Sequence, residues 1–500
     1  MTIKPRDFRL ALVLLTASGA SVLGHQILWT RRMTDLLGAN ARSSTRVFEC
    51  FFLGLALGSA LASLVLPRIR RPWRFLGGIE LGVAIFCLPV LLLPEWTGWI
   101  WPALGPEQLV AWPGTAVKVL LSVFMLLPPT LLMGMSLPVM VSAVCPSEES
   151  LSRQALWLYA TNTLGGVLGL AVVVGFALQV GGAVGAMLLV IAVNLLVAAK
   201  CFSRDRAPLP SPGAIPPRNP GPPGRVERNG HRGFALSLLV ALCSGAGVLA
   251  LEVLSLQMID LSAPLAFYPP AAVLFCVILL LGASAALVPL AVRRSGGPDR
   301  VLRFCLAVSG PLTASIPLIF MRLPVVRNVE LGYAHSFPGF LAQICGVTLL
   351  ALGPAILFAG AVFPLSVSRC AGGGASAGRR LALLLAINGV GGVFGAEIAY
   401  RVLLPAYGAH VSIGGVGMFY GLLALVVLFA TRTKRPASYA IPVAGALLTF
   451  LVLMRALPKL PVFFYADQFK VIEVRSGEEG TLAVFERAGF GRAMSFSNRA

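Results

Sequence analysis

Five ionisable side chains stand inside or beside long apolar runs of this 500-residue chain: His25, Glu49, Glu80, Glu252 and Glu397. Gln26, Asn162, Gln257, Gln343 and Asn388 occupy the same runs. A charge at membrane depth costs about 2.5–3.5 kcal/mol on insertion scales, so such groups point by default to ion or substrate paths. Glu49 falls near the start of its run, within reach of water. Glu397 and Arg401 are one helical turn apart and can pair. Glu80 and Glu252 are the most deeply placed. With Asn162, Asn388, Glu397, His25 and Gln26 they make up the candidate intramembrane polar site. Two chemistries fit this set. One is an acidic midplane site for a small cationic molecule. The other is interhelical hydrogen bonding that fixes the helices to one another.

Other chemistries are poorly supplied. The nine cysteines (50, 87, 145, 201, 243, 276, 305, 345 and 370) lie in or near apolar runs and include no C-x-x-C pair. That pattern argues against a disulfide framework or a zinc site and for small buried hydrophobes. Gly389-Val-Gly391 with Gly395, and Gly415-Val-Gly417 with Gly421, imitate a dinucleotide fingerprint. Such a fingerprint needs a strand before it and a helix N-terminus at the pyrophosphate, whereas both stretches lie within apolar runs. Glycines four apart, as at Gly54/Gly58, Gly165/Gly169 and Gly391/Gly395, let membrane helices approach closely instead. No catalytic, metal-binding or cofactor-binding residue is nominated, and no cofactor is expected in this chain.

The elements that hold these groups follow from composition. Hydrophobic residues make up 57% of the chain and charged residues 12%, with a mean hydropathy of +0.85. A soluble domain carries about 25% charged residues, so this chain cannot clothe a water-facing surface of its size. Disorder over most of the length and an ordinary cytosolic enzyme of several domains are both excluded. The expected class is an all-α polytopic membrane protein. Candidate spans fall near 9–30, 47–66, 75–94, 118–144, 154–176 and 182–199. A second set falls near 233–256, 270–291, 301–320, 340–366, 380–402 and 410–430, with one more at 438–457. The first run continues to Trp29 and is followed by Arg31 and Arg32, which marks a span and not a cleaved signal peptide. Pro128-Pro129 and Pro354 interrupt long runs, as kinks or as breaks lining a site.

The formal net charge of +20 reads as topology, not as nucleic-acid binding. With the N-terminus inside, and counting as far as Arg435, 25 Lys and Arg fall in inner segments and 8 in outer ones. The expectation is a bacterial inner-membrane protein with a cytoplasmic N-terminus. The lipid bilayer is its first partner, and no nucleic acid is implied.

Organisation is also legible. The stretch 204–232 is a Pro/Gly-rich cytoplasmic linker between a first membrane repeat, 1–203, and a second, 233–436. An additional helix at 437–457 precedes 458–500, whose alternating K-V-I-E-V-R and T-L-A-V-F-E-R around S-G-E-E-G predict a β-hairpin. The two halves match at a constant offset of 226 residues. Ser18-Gly19-Ala20 aligns with Ser244-Gly245-Ala246, Gln26 with Glu252, and Gly134 and Pro138 with Gly360 and Pro364. Asn162 to Gly169 aligns with Asn388 to Gly395. About six spans per half make the repeats parallel, as in the two halves of major-facilitator transporters.

The motifs S-G-A-S-V-L-G-H-Q-I-L-W-T-R-R, F-L-G-L-A-L-G-S-A-L-A, G-G-I-E-L-G and N-T-L-G-G-V-L-G, with L-Q-V-G-G, resemble the membrane part of bacterial spermidine-synthase-like fusion proteins. The second half repeats the pattern in S-G-A-G-V-L-A-L-E-V-L and N-G-V-G-G-V-F-G with L-P-A-Y-G. In that family a duplicated membrane domain is joined to an aminopropyltransferase domain. The resemblance implies that 458–500 is the N-terminal β stub of such a domain. It also implies that this chain lacks the nucleotide-binding catalytic core. The implied role is a scaffold or conduit for a polyamine-type or other small molecule, working with a soluble synthase-like partner. The rival expectation, from the repeat layout, is a free-standing secondary transporter.

Overall fold

The computed structural model describes residues 5–37, 41–104, 112–145, 148–204, 226–260, 268–323, 336–369, 374–431, 437–456, 470–477, 480–487 and 491–496. Fifteen α-helices and three strands are described there. They are α1 (Pro5–Leu37), α2 (Ala41–Val65), α3 (Pro72–Leu91), α4 (Leu93–Leu104), α5 (Trp112–Val144), α6 (Glu148–Val172), α7 (Leu178–Arg204) and α8 (Val226–Asp260). There follow α9 (Tyr268–Ser295), α10 (Pro298–Arg322), α11 (Phe337–Gly360), α12 (Val362–Ser368), α13 (Gly374–Ile398), α14 (Leu404–Ala430) and α15 (Ala437–Leu451). The strands are β1 (Lys470–Gly477), β2 (Gly480–Arg487) and β3 (Gly491–Phe496).

The protein is an all-α polytopic membrane protein. Among the described residues, ten apolar helical runs are long enough to cross a bilayer. Two of them, Arg153–Arg204 and Ala377–Ala430, run 52 and 54 residues. About 20 residues suffice for one crossing, so each of these has the length for two. Helix is the natural state for such sequence, because lipid offers no partner for an unpaired backbone N–H or C=O. Proline marks several starts: Pro72 opens α3 and Pro298 opens α10. The Ser336 hydroxyl caps α11 by accepting from Gly339 N over 3.2 Å.

The chain forms two compact units, one of residues 1–242 and 366–390, the other of 243–365 and 391–500. In the first, α1 packs along α6 and α7, α2 along α5, and α3 against α5 and α7. Trp29, Phe51, Leu15, Leu28 and Met140 are among its largest fully buried side chains. In the second, α10 packs on α14, α11 and α15, and α9 packs on α11.

The duplication is written into the backbone. α6 ends in a π-helical turn, Val173–Ala177, and α13 ends in another, Ala399–Leu403, at the same 226-residue offset. Gly182 (φ 60°, ψ −167°) breaks α7 near its start, and Gly408 (φ 69°, ψ 170°) breaks α14 at the equivalent position. That conformation is open essentially to glycine alone. The long runs therefore turn at matching points.

The glycine pairs act as helix-packing contacts. A methyl group on Gly169 would overlap the Ala20 carbonyl oxygen, and one on Gly395 would overlap that of Ala246, its counterpart. Gly166 meets Leu23 as Gly392 meets Leu249. Gly54 and Gly58 lie against Thr130 and the Leu131 carbonyl. Gly415 has no heavy atom within 4 Å of where its Cβ would stand, so it has no packing role of this kind.

Some expectations change at the edges. The first residues of α8, from Val226, lie inside the stretch expected to be linker, and 205–225 lie outside the described residues. The helix expected at 437–457 is α15 followed by a π-helical turn, Val452–Ala456. Its apolar part, Ala440–Arg455, is shorter than a full crossing. The expected hairpin is a three-stranded antiparallel meander, β1-β2-β3, with Lys470 opposite Glu486 and Leu482 opposite Phe496. β3 was not expected, because G-R-A-M-S-F alternates weakly.

Candidate functional site

Three helices of the first unit meet at a buried polar cluster. On α1, Ser18, Ser21 and His25 lie at i, i+3 and i+7, one face of a helix. That face turns toward α3, which brings Glu80, and α7, which brings Asn194. His25 is 0% exposed, and Glu80 and Asn194 are each 1% exposed.

The hydrogen bonds join all five. Ser18 Oγ donates to Glu80 Oε1 over 2.6 Å. Asn194 Nδ2 donates to Glu80 Oε2 at 2.7 Å and to Ser21 Oγ at 2.9 Å. Ser21 Oγ in turn donates to the Ser18 carbonyl over 2.8 Å. The Asn194 Oδ1 lies 3.1 Å from His25 Nε2. Since an amide oxygen only accepts, His25 Nε2 carries the hydrogen. Cys87 Sγ, two turns along α3 from Glu80, stands 3.6 Å from the same nitrogen. The Ser136 hydroxyl of α5 is buried and makes no hydrogen bond among the described residues.

Next to the cluster the polar atoms are unmet. Among the described residues, His25 Nδ1, both Gln26 amide atoms and Trp29 Nε1 are buried with no hydrogen-bond partner. The imidazole stacks on the Trp29 ring with centroids 5.4 Å apart, and Phe51 of α2 closes on that ring edge-on at 6.4 Å. At one end of the helix pair, Asp7 of α1 and Arg204 of α7 form an ion pair.

The same backbone positions in the second unit carry different chemistry. Ser18 becomes Ser244, but Ser21 becomes Gly247, His25 becomes Leu251, Glu80 becomes Leu306 and Asn194 becomes Tyr420. The Tyr420 ring occupies the room above Gly247, with its hydroxyl against the glycine. The polar network belongs to the first repeat.

Of the seven residues expected to form the site, the structure brings two together by hydrogen bonding, His25 and Glu80. Gln26 is buried beside them on α1. Glu252 is buried in the second unit, in α8. Asn388 Nδ2 donates to the Ala241 carbonyl over 2.9 Å, a helix-to-helix tie. Asn162 sets its own carbonyl where a Cβ on Gly19 would stand. Glu397 pairs with Arg401 on an outward face, with side chains 27% and 61% exposed. Sequence reasoning missed Asn194, Ser18, Ser21 and Cys87. Asn194 carried a readable signal, being an amide in the middle of M-L-L-V-I-A-V-N-L-L-V. Among the described residues, no group of three His, Cys, Asp or Glu side chains could hold a metal ion.

No family model matches the sequence, and no curated protein matches it. Solved structures do. A bacterial homologue of the iron transporter ferroportin, in an outward-facing state, matches with a TM-score of 0.51 at 12% identity. That match covers 86% of this chain and 100% of the other. The nucleoside transporter NupG (TM-score 0.49, 12% identity) and the human organic anion transporter MFSD10 (0.46, 16%) each match over 85% of this chain and all of their own. What is shared with the ferroportin homologue is the fold, an all-α polytopic arrangement that fits a two-repeat layout.

The likeness to spermidine-synthase-like fusions is corrected: the fold matches the ferroportin homologue over 86% of this chain, and neither a family model nor a curated protein supports a synthase fusion. With it go the scaffold or conduit role, the polyamine-type substrate and the soluble synthase partner. The physical reason is in the packing. The S-G-A and N-x-x-G-G-x-x-G motifs that carried the likeness encode close helix approach, a need shared by unrelated membrane proteins.

Proposed function

We propose that the protein is a free-standing secondary transporter for a small hydrophilic solute, seated in a bacterial inner membrane with its N-terminus in the cytoplasm. The observation that carries the reading is the Glu80–Asn194–His25 cluster: a carboxylate and an imidazole, both buried, on helices long and apolar enough to span a bilayer. Packing alone gives no reason to place ionisable groups there, since a serine or amide would tie the helices at lower cost. The two-repeat fold supports the same reading. The 25-to-8 division of Lys and Arg supports the orientation.

The test is uptake by proteoliposomes. A panel of small polar solutes would be offered under an imposed pH gradient or membrane potential. The expected result is gradient-dependent accumulation of at least one solute, reduced at least tenfold in Glu80→Gln. Uptake no greater than in protein-free vesicles for every solute and both gradients would overturn the reading. A tag at residue 5 that is protected in sealed right-side-out vesicles checks the orientation.

A further inference from the structure

We propose that His25 Nδ1 is a proton-binding site whose imidazolium is stabilised by the Glu80 carboxylate through the Asn194 amide. Within the transport reading above, this site would carry the coupling ion. The hydrogen-bond directions make the argument. Asn194 Nδ2 faces two acceptors, Glu80 Oε2 and Ser21 Oγ, which fixes the orientation of the amide. Its Oδ1 then faces His25, and the ring hydrogen sits on Nε2. The ring position left to take a proton is Nδ1, which is buried and unpartnered among the described residues. Both Glu80 oxygens accept from neutral donors, Ser18 and Asn194, the pattern of an ionised carboxylate.

Protonation balances simply. A hydronium ion gives up one proton, its O–H bond breaks, and an N–H bond forms with the Nδ1 lone pair. The imidazolium charge makes the Nε2–H bond to Asn194 charge-assisted, as the carboxylate already makes the bond from Nδ2. No proton crosses the amide. Asn194 passes polarisation from one charge to the other.

The groups around the imidazole fit this role. Glu80 and Cys87 come from α3, and Cys201 of α7 lies within electrostatic reach of Glu80. Arg32 follows two turns along α1. α6 meets this stretch of α1 with glycines, α2 with Phe51 and α5 with Ser136, while Glu95 of α4 is exposed. Trp29, stacked on the imidazole, is a built-in reporter, because an imidazolium against an indole face makes a cation–π contact and quenches its fluorescence.

The experiment is a fluorescence titration of the full chain in detergent from pH 4 to 8, with Trp29→Phe subtracted to isolate one of the seven tryptophans. The expected result is a quench on acidification that disappears in His25→Gln. In Glu80→Gln its midpoint should move toward acid by about one pH unit, as the counter-charge is lost. Asn194→Leu, which keeps both titrating groups and cuts the link, should shift it in the same sense. A quench that survives in His25→Gln, or a midpoint unchanged in Asn194→Leu, overturns the site. The titration needs no solute and no gradient. Intact titration without uptake would sink transport alone, and uptake without titration would sink this site alone.

Discussion

Asn194 on α7 donates a 2.7 Å hydrogen bond to Glu80 on α3 and so joins two helices more than a hundred residues apart in sequence. A second bond from the same nitrogen reaches Ser21 on α1, so one amide holds three helices. Removing it leaves a buried carboxylate with half its donors. Asn194→Ala should lower stability by about 2 kcal/mol, the cost of an unmet buried polar group beside a charge. Thermal unfolding in detergent measures it, and Asn194→Asp should be worse, since it sets a second carboxylate against the first.

Gly169 and Gly395 make the same contact in their two repeats, each under the carbonyl oxygen of an alanine on the first helix. Gly169→Ala and Gly395→Ala should each cost about 1–3 kcal/mol, because backbone must move to admit the methyl group. Gly415→Ala, where nothing stands within 4 Å, should be tolerated. Unfolding temperatures of the three variants side by side test the contrast.

Gly182 and Gly408 answer to a different constraint. Both hold positive φ with no neighbour close to a Cβ at Gly182, so an alanine there is strained by backbone conformation and not by crowding. Gly182→Ala should cost about 1–3 kcal/mol. Three residues on, Gly185 lies in regular helix with open space around it, and Gly185→Ala should be neutral or stabilising by up to about 1 kcal/mol. Opposite signs at neighbouring glycines, read by thermal unfolding, are the expected outcome.

Tyr420 and Gly247 form a coupled pair. A Cβ on Gly247 would strike the Tyr420 hydroxyl and the ring carbon that bears it. Gly247→Ala should destabilise by about 1–3 kcal/mol in the wild-type background and by clearly less beside Tyr420→Leu. A double-mutant cycle should show a coupling of at least about 0.5 kcal/mol, and strict additivity would disprove the contact.

The spans, the duplication and the glycine contacts were readable because each rests on a local or periodic property of the chain. Apolar length predicts crossings, and a constant offset needs only the sequence compared with itself. The site was half readable. His25 and Glu80 announce themselves as ionisable groups in apolar surroundings, whereas Asn194 gives a weaker signal, because a neutral amide carries no comparable penalty. Which helices would bring Ser18, Glu80 and Asn194 together is a matter of packing that no single stretch records. Glu397 was legible in both its aspects, as a charge in an apolar run and as the i, i+4 partner of Arg401. The family resemblance misled because it was read from glycines, and glycines in membrane helices report how closely backbones approach rather than what the protein acts on.

The Asp7–Arg204 ion pair has a consequence for the path of the chain. It sets the beginning of the first repeat beside its end, so the segment is a loop nearly closed on itself. A segment whose two ends meet on one side can be copied in tandem without rerouting the chain, and its copy begins where the original leaves off. The junction then needs only a short connector. At matching positions the two copies hold a carboxylate, an imidazole and an amide in one and leucine and tyrosine in the other, so the shared backbone plan does not dictate a polar interior.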